Sequence, residues 1–451
     1  MNWIKSIAIA VAGLFISLPR PMAQPAMMSL QDCIEYALAH ATEVRKAGLE
    51  AARSTYQMER MKAGVLPEVT VAADAFYNFA RPVDVAPGER FDSPERDVPI
   101  RFGKPIQAGL GIEVRQPLLN ATIATGREGQ QKLEQLNELR LRKAREDVAL
   151  EVAKTYFQTL IVGEKRGLLE ANLDQVKGLY RLVERQYQNG FAKEIDVKRL
   201  QVNRSNLETR LNNLTLQYEQ LLQVLKYRMA MPLDSGIALV DTLSATPLPP
   251  PVDTTAGADL NRRTEIALLQ LRGELDQLQV ERLQNERLPN LFLWGRLNLT
   301  AWGDTFSEWW GADFWYGDSF LGLRMEYPLF DGYRTRARVQ QARIDGELNA
   351  ETLAFTRRSL QLQYNAARQQ LRVNFNELEQ LRANREVAEE VFAVTQQRYA
   401  EGVAPIMELL SAETSMREAQ TNYLTALLEA KQAELELWAA RGELLERVAG
   451  R

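Results

Sequence analysis

Two very long proline-free runs with helical periodicity constrain this chain more than any other feature. The first covers residues 121–188, where Leu133, Val148 and Leu160 lie at helical spacings, and the second covers residues 332–400. A helix of that length rises about 100 Å. It cannot form the interior of a compact domain, and such runs are typical of coiled coils and repeat assemblies.

Both long runs end in the same kind of turn, so the chain contains a tandem repeat. A tyrosine, a glycine, an alanine and an acid recur at identical spacings, as Tyr187, Gly190, Ala192 and Asp196 in the first turn and Tyr399, Gly402, Ala404 and Glu408 in the second. Each half follows the order helix, strand, loop, strand, very long helix, turn, shorter helix. We predict a first repeat over 29–230, a proline-rich linker over 231–258 and a second repeat over 259–451.

The shorter helical patterns complete four antiparallel columns. We predict these helices over residues 29–65, 194–230, 259–288 and 405–447. Two of them, stacked end to end, match one long helix in length. The linker should therefore bulge from an equatorial position, where two short helices meet.

Between the opening helix and the long helix of each half, the apolar period changes from helical to two, which predicts strands. We predict them over residues 69–77, 106–115, 291–299 and 321–327. Residues 80–105, rich in proline, are predicted to be an exposed loop without regular pairing, and residues 302–319 a loop rich in glycine and tryptophan.

The strand at 106–115 separates two environments. Aliphatic residues from Ile106 to Val114 share one face, while Gln107, Glu113 and Arg115 share the other. Such a strand suits a soluble sandwich or a membrane barrel, and taken alone it favours the sandwich. Five of the seven tryptophans cluster around the strands of the second half, which fits an interfacial aromatic girdle or a buried aromatic hairpin (Trp294, Trp302, Trp309, Trp310 and Trp315).

The N-terminus has the features of an export signal. Lys5 precedes an apolar stretch from Ile7 to Leu18, and Ala23 is a small residue suited to cleavage, so residues 1–26 are predicted to be a signal peptide. The alternative, a membrane anchor, requires about 20 apolar residues. Export together with the absence of a later apolar run of that length in the sequence favours the membrane reading of the strands.

Composition argues against several classes of protein. The chain has one cysteine and one histidine, and it contains no phosphate-binding glycine loop or nucleophile elbow, so no enzyme activity, metal or cofactor is expected. A net charge of -4 gives no basic surface for nucleic acid. Four strands are too few to close a barrel, so identical chains must associate cyclically, and two, three or four copies remain open.

The ordered pair of repeats resembles the TolC-type outer-membrane efflux proteins, also called outer membrane factors. The similarity rests on the two Tyr-x-x-Gly-x-Ala turns, the Pro117-Leu118 and Pro328-Leu329 strand ends and the helix start at Ser29. It implies an α+β membrane protein, a homotrimer with a twelve-stranded transmembrane β-barrel, four strands per chain, and a long antiparallel α-helical barrel. It also implies a passive exit duct in the outer membrane of a Gram-negative bacterium, extending into the periplasm.

The resemblance implies partners and a gate as well. A periplasmic adaptor would connect the duct to an inner-membrane pump or a type I secretion machine, and the helix turns would form an iris-like periplasmic gate. The gate residues implied are Tyr399, Gly402, Glu408, Ser411, Tyr187, Gly190 and Asp196, with Lys193 as a further candidate. Ala404 stands where some members have a basic residue, which favours closure by packing of Ile406, Met407 and Leu410.

The polar strand faces would line the lumen of such a barrel. The residues predicted to face it are Gln107, Glu113, Arg115, Arg296, Arg324 and Glu326. Two other classes remain: a periplasmic adaptor, which should show separate many-stranded modules, and an elongated coiled-coil structural protein, which would not explain the strands. The transported substrate is not indicated by the sequence.

Overall fold

The computed structural model describes residues 26–87, 89, 96–243, 259–310 and 315–448. The predicted signal peptide lies outside the described residues except for Ala26, and so does the second half of the predicted linker. The helices, in chain order, are α1 Leu30–His40, α2 Thr42–Ala63, α3 Ala121–Gln188, α4 Glu194–Arg228, α5 Thr264–Asn285, α6 Arg334–Ala400, α7 Ile406–Arg441 and α8 Leu444–Val448.

The described residues also contain strands and two short 3-10 helices, at Leu260–Arg262 and Phe306–Trp310. The strands are β1 Ala26–Met28, β2 Glu68–Tyr77, β3 Val83–Ala86, β4 Val98–Arg101, β5 Ile106–Leu119, β6 Ile237–Leu239, β7 Asn290–Gly303 and β8 Trp315–Glu326. Four of them form an antiparallel sheet in the order β2-β5-β7-β8, which leaves β2 and β8 at its edges. The four predicted strands and both long helices are confirmed.

Three predicted helices are shorter or more interrupted than expected. The opening helix breaks at Ala41, where ψ is 136°, and the final helix breaks at Gly442, whose φ is 73°. No proline or glycine marks Ala41 in the sequence. The helix predicted over 259–288 begins with the 3-10 turn and becomes α-helical only at Thr264.

Three predicted loops contain paired strands. β3 and β4 form an antiparallel hairpin inside 80–105, and Pro99 pairs opposite Val85. The prediction of no regular pairing was wrong there because a two-stranded ribbon has only edge strands, in which proline is tolerated. In the linker, β6 pairs in parallel with β1, and β8 begins at Trp315, inside the predicted loop 302–319.

The described residues divide into two compact units. The turn unit covers Met1–Val44, Arg145–Gly257 and Tyr364–Arg451 where these are described, and the sheet unit covers Arg45–Ala144 and Ala258–Gln363. Helices α2, α3 and α6 contribute residues to both units. Among the described residues, no helix combines the length and the apolar character needed to cross a membrane.

In the turn unit, polar contacts tie α3, α4, α6 and α7 together. Lys154 Nζ lies 2.7 Å from Glu436 Oε1, and the guanidinium of Arg228 lies 2.7 Å from Glu151 Oε2. The Asn374 amide donates to the backbone carbonyl of Glu429 at 2.9 Å. The chain before α1 and the chain after β6 are anchored to α3 because Asp241 accepts from the Tyr156 hydroxyl and the Leu30 backbone amide.

In the sheet unit, helices α2 and α5 pack beside the initial segments of α3 and α6. Lys132 Nζ lies 2.6 Å from Glu274 Oε2, and the Gln130 amide donates to the backbone carbonyl of Ser54. Leu283 and Val339 form a small buried cluster between α5 and α6.

Candidate functional site

The two helix turns of the turn unit have the same backbone geometry. In the first, the Gly190 amide donates to the carbonyl of Tyr187 and the Phe191 amide to that of Gln186; in the second, Gly402 donates to Tyr399 and Val403 to Arg398. These are the paired bonds of a Schellman helix end, and both glycines have the left-handed φ that this motif requires, 82° and 76°. The duplicated Tyr-x-x-Gly spacing is thus explained by helix termination.

The acidic residue after each turn pairs with an arginine. Asp196 Oδ1 lies 3.4 Å from the Arg199 guanidinium one helical turn away, whereas Glu408 Oε1 lies 2.8 Å from the Arg398 guanidinium at the end of α6. Both acids occupy the first turn of a helix, where the helix dipole favours negative charge. Only the Glu408–Arg398 pair connects the two helices on either side of its loop. Both of its side chains are partly exposed, so the pair contributes about 0–1 kcal/mol to the free energy of unfolding.

An apolar cluster joins the two turns, and residues of both repeats contribute to it. Its buried members are Val183, Leu200, Phe392, Ile406, Leu409, Ala412 and Met416. Tyr399, Leu410 and Ala192 pack against it, partly buried. The hairpins of the two repeats therefore form one packed body at their turns.

The two duplicated tyrosines have different environments. Tyr399 packs against the apolar cluster, and its hydroxyl lies 3.5 Å from Gln186 Oε1 on α3. Burial, together with the negative charge of Asp196, raises the pKa of Tyr399. Tyr187 is 42% exposed. Of the two, Tyr399 is the tyrosine that connects the repeats.

The remaining predicted gate residues lie around the second turn, except Lys193, which follows the first. Ala404 and Ile406 are buried, whereas Met407 and Ser411 are exposed. Lys193 is the N-cap residue of α4, without a side-chain capping bond. Of the three residues expected to pack, Ile406 and Leu410 do so within the chain and Met407 does not.

Sequence analysis missed Arg398 as the partner of Glu408. Arg398 stands immediately before Tyr399 in the second turn. However, the ten-residue separation is uninformative until the turn geometry brings the two helix ends together.

In the sheet unit, the register places all six predicted polar residues on one face. Directly paired residues share a face of a sheet. Glu113 pairs directly with Arg296. The other four predicted residues pair with even-numbered positions of β7, which share a face with Arg296. These pairs are Gln107 with Trp302, Arg115 with Trp294, Arg324 with Phe292 and Glu326 with Asn290. The opposite face carries aliphatic residues from all four strands.

Side chains on the polar face form a connected network. The Trp294 indole Nε1 donates to Glu113 Oε1 at 2.8 Å, and the Arg324 guanidinium lies 3.5 Å from the centre of the Trp294 ring. Arg296 lies 3.2 Å from Asp318 Oδ2. A groove of about 330 Å³ on this face is lined by charged residues from β2, β5 and β7. The polar face thus combines arginines, acids and aromatic rings.

No group of three or more His, Cys, Asp or Glu side chains in the described part of the chain is arranged to hold a metal ion.

Comparison with known proteins matches residues 33–227 and 258–443 to the family model described as "Outer membrane efflux protein". Among solved structures, the outer membrane protein VceC from Vibrio cholerae has 17% identity, with a TM-score of 0.70, over 92% of this chain and 96% of its own. The Campylobacter jejuni CmeC outer membrane channel has 16% identity, with a TM-score of 0.72, over 92% and 86%.

The Neisseria gonorrhoeae MtrE outer membrane channel, solved in an open state, has 16% identity and a TM-score of 0.71 over 93% of this chain and 90% of its own. At these identities the structural matches establish the fold alone. A comparison with curated protein sequences found no match.

Proposed function

Because the chain belongs to the outer membrane efflux protein family, we propose that three copies assemble into a transmembrane β-barrel continued by a periplasmic tunnel of helices. The chain is an outer-membrane exit duct of an efflux system and not an enzyme.

The observation that carries the proposal is the four-stranded sheet with two free edges and one apolar face. Val71, Leu321 and Leu323 on that face are each more than half exposed in the single chain. Four strands cannot close a barrel. Cyclic association would pair β8 of one copy with β2 of the next, and it would turn the aliphatic face toward lipid and the charged face toward a lumen.

The gate would lie at the two helix turns. Tyr399, Gly402, Glu408 and Ser411, with Tyr187, Gly190 and Asp196 of the first repeat, would surround the axis at the periplasmic tip. The shared apolar cluster supports a resting state in which the two hairpins are held together, and the Glu408–Arg398 pair closes the turn of the second hairpin. Opening would require the hairpin of the second repeat to move relative to that of the first.

The partners would be a periplasmic adaptor and, through it, an inner-membrane pump. The exposed Phe191 and Val403 at the turns offer apolar contacts to such an adaptor. Co-purification from the native outer membrane would identify the adaptor and the pump class. Recovery of the channel with no inner-membrane transporter would contradict this part of the proposal.

Cysteine cross-linking tests the ring. In a Cys33→Ala background, Val71→Cys on β2 and Leu323→Cys on β8 would be joined by a short bismaleimide in isolated outer membranes. Non-adjacent strands of one sheet lie at least about 10 Å apart, so linkage between edge strands requires neighbouring copies. We expect covalent dimers and trimers from the double variant, and monomers from each single variant. Monomers alone, or a ladder extending beyond three, would exclude the trimeric barrel.

A further inference from the structure

A cavity of about 460 Å³ lies in the turn unit, where α7 of the second repeat packs beside the hairpin of the first. Side chains of α3, α4 and α7 line it. Nearer the turns, the Asn203 amide of α4 donates to Glu413 of α7 at 3.5 Å. Farther from the turns, the Lys165 ammonium of α3 donates to the Thr425 hydroxyl of α7 at 2.7 Å. The space between these two contacts has the size of a small-molecule site.

The walls of the cavity combine an apolar part with neutral polar side chains. Leu169 belongs to the buried cluster that packs α4 on α3, and Leu214 packs against that cluster. Four amide side chains line the cavity as well: Asn172, Asn213, Gln217 and Asn422. Asn172 is 4% exposed, and the hydrogen bond from its amide to Gln420 on α7 is long, at 3.4 Å. The cavity therefore suits a solute that is partly apolar and partly hydrogen-bonding.

Two cations of the lining have hydrogen-bond donors to spare. The half-buried ammonium of Lys165 carries three donors, and the hydroxyl of Thr425 accepts one of them. Arg417 Nη1 lies 3.3 Å from Glu413 Oε1, whereas Arg417 Nε is buried and meets no acceptor among the described atoms. Burial lowers the pKa of Lys165, although the charge of Glu429 opposes this. Buried donors require acceptors, and a carboxylate forms the strongest hydrogen bonds with them.

The charges at the cavity balance, which argues against a simple anion as its ligand. Three bases and one acid line it: Lys165, Arg210, Arg417 and Glu418. Two further acids of α7, Glu413 and Glu429, act on two of those bases. Arg210 and Glu418 are exposed on different helices, and neither forms an ion pair with a described residue. A ligand that carries both signs of charge would complement this arrangement.

The remaining acids of α3 and α4 at this level do not face the cavity. Four of them lie at least about 130° around their helices from the middle of the lining positions, namely Glu170, Asp174, Glu208 and Glu219. Glu164 lies about 100° away on α3 and accepts from the backbone amide of Leu243. A bound ligand would therefore meet the balanced set of bases and acids and no larger acidic surface.

We propose that this cavity binds a small zwitterion of the amino-acid class. Its carboxylate would lie inward on Lys165 and Arg417, and its ammonium would lie outward on Glu418. Charge-assisted hydrogen bonds would hold both ends. An apolar side chain of the ligand would pack against Leu169 and Leu214. The binding itself does not depend on the proposed ring of three copies.

Water and an acidic side chain of an adaptor are the competing occupants. Water would satisfy the spare donors, but it would gain nothing from the apolar wall at Leu169 and Leu214. A single carboxylate side chain would fill only a small part of about 460 Å³, and it would leave Glu418 unpaired. A zwitterion with an apolar side chain matches the donors, the acid and the apolar wall together.

Occupancy of the cavity would also act on the gate, and this step rests on the proposed function. The ligand would add a link between α3 of the first hairpin and α7 of the second. Opening of the proposed gate requires one hairpin to move relative to the other. A ligand that binds the resting arrangement more tightly would therefore favour the closed state.

Isothermal titration calorimetry of the purified full-length protein in neutral detergent tests the site with three matched probes. Norleucine carries both charges and an apolar chain, hexanoate lacks the ammonium, and pentylamine lacks the carboxylate. We expect norleucine to bind at least about tenfold more tightly than either analogue, because each analogue loses one charged contact. No binding of norleucine at millimolar concentration would leave water as the occupant. Equal or tighter binding of hexanoate would indicate an anion site, and either result would overturn the proposal.

Two variants should change the specificity in different ways. Lys165→Gln should weaken both norleucine and hexanoate at least about tenfold, whereas Lys165→Arg, which keeps the charge, should retain most of the affinity. Glu418→Gln should reduce the affinity for norleucine to that for hexanoate. The controls are Lys177→Gln on α3 and Glu219→Gln on α4, equal charge changes outside the cavity lining. Equal effects in the variants and in their controls would overturn the assignment.

Planar-bilayer conductance separates this inference from the proposed duct. Norleucine should lower the conductance of the wild type and leave that of Lys165→Gln unchanged; no effect at saturation would overturn the gating step. A conducting protein that does not bind norleucine would overturn the site alone. Norleucine binding by a protein that forms no pore would support the site and count against the duct. Loss of adaptor co-purification in Lys165→Gln, with no norleucine binding to the wild type, would assign the cavity to the adaptor instead.

Discussion

Arg398, in the last turn of α6, reaches across the Gly402 turn and holds Glu408 in the first turn of α7, with the guanidinium 2.8 Å from Oε1. The sequence comparison with efflux proteins pointed to Ala404 as a missing basic residue and so favoured closure by packing. A basic partner for Glu408 is present after all, on the other side of the turn. In the proposed channel the pair would offset much of the negative charge of a Glu408 ring.

Charge at the turn is expected to set ion selectivity in opposite directions for the two partners. Glu408→Gln should lower cation selectivity and Arg398→Gln should raise it, because unpaired carboxylates near a pore axis favour cations. Reversal potentials in planar bilayers under a salt gradient measure both effects. Glu401→Gln, an exposed acid in the same turn, is the control. Unchanged selectivity in both variants would remove this pair from the pore lining.

The two tyrosines should respond differently to truncation. Tyr399→Ser removes a half-buried ring from the cluster joining the turns and should cost about 2 kcal/mol, while Tyr187→Ser should stay within about 0.5 kcal/mol. Limited proteolysis at the turns and single-channel conductance would both register the loosening. Equal effects of the two variants would contradict the assigned asymmetry.

The turn glycines are required for their backbone conformation alone. No described atom lies within 4 Å of the position that a Cβ would take at Gly190 or Gly402. Replacement by alanine should therefore cost only the left-handed strain, about 1–2 kcal/mol at either site. Asparagine should cost less. Chemical denaturation of the detergent-solubilised protein would compare these variants.

Gly178, inside α3, is the matched control for that series. Like the turn glycines it has no described atom within 4 Å of its Cβ position, but unlike them it does not have a positive φ. Gly178→Ala should stabilise by up to about 1 kcal/mol. Destabilisation by Gly178→Ala would show that contacts from outside the single chain crowd the glycine positions.

Alkaline pH should weaken the anchor of the N-terminal segment. Burial, reinforced by the charges of Asp32 and Asp241, raises the pKa of the Cys33 thiol from 9.0 to about 12. As the pH rises, the unfolded chain therefore loses this proton before the folded chain does. The stability that the protonated thiol contributes is complete below pH 9.0 and is lost as pH rises toward 12. Thermal unfolding followed by circular dichroism would measure the decline.

Cys33→Ala provides the comparison for this pH dependence. The variant should be less stable than the wild type at neutral pH, because Cys33 is fully buried. Between pH 9 and 10, however, its free energy of unfolding should fall less steeply than that of the wild type. The two slopes should differ by up to about 1.4 kcal/mol per pH unit. Burial and the hydrogen bond to Asp241 also raise the pKa of Tyr156, whose contribution is lost at higher pH. Parallel curves for the two proteins below pH 10 would rule out the thiol as the cause.

Periodicity in the sequence was sufficient for the long elements. Helix α3 begins and ends at the predicted residues, and strands with a strict two-residue period keep Glu113 and Arg296 on the predicted face. These features are local: hydrogen bonds within a helix and side-chain alternation along a strand depend on neighbouring residues alone. The duplicated Tyr-x-x-Gly turn is local too, because its paired bonds close within six residues.

Contacts between distant segments were decided by the tertiary structure. The break at Ala41, the pairing of β1 with β6, and the Arg398–Glu408 pair depend on which segments meet in space, and local composition carries no sign of this. The same holds for Tyr187 and Tyr399, which occupy the same position in the two repeated turns and differ in burial. The sequence determined the repeated elements and their polar and apolar faces, whereas packing of one repeat against the other decided which copy of each residue became buried and paired.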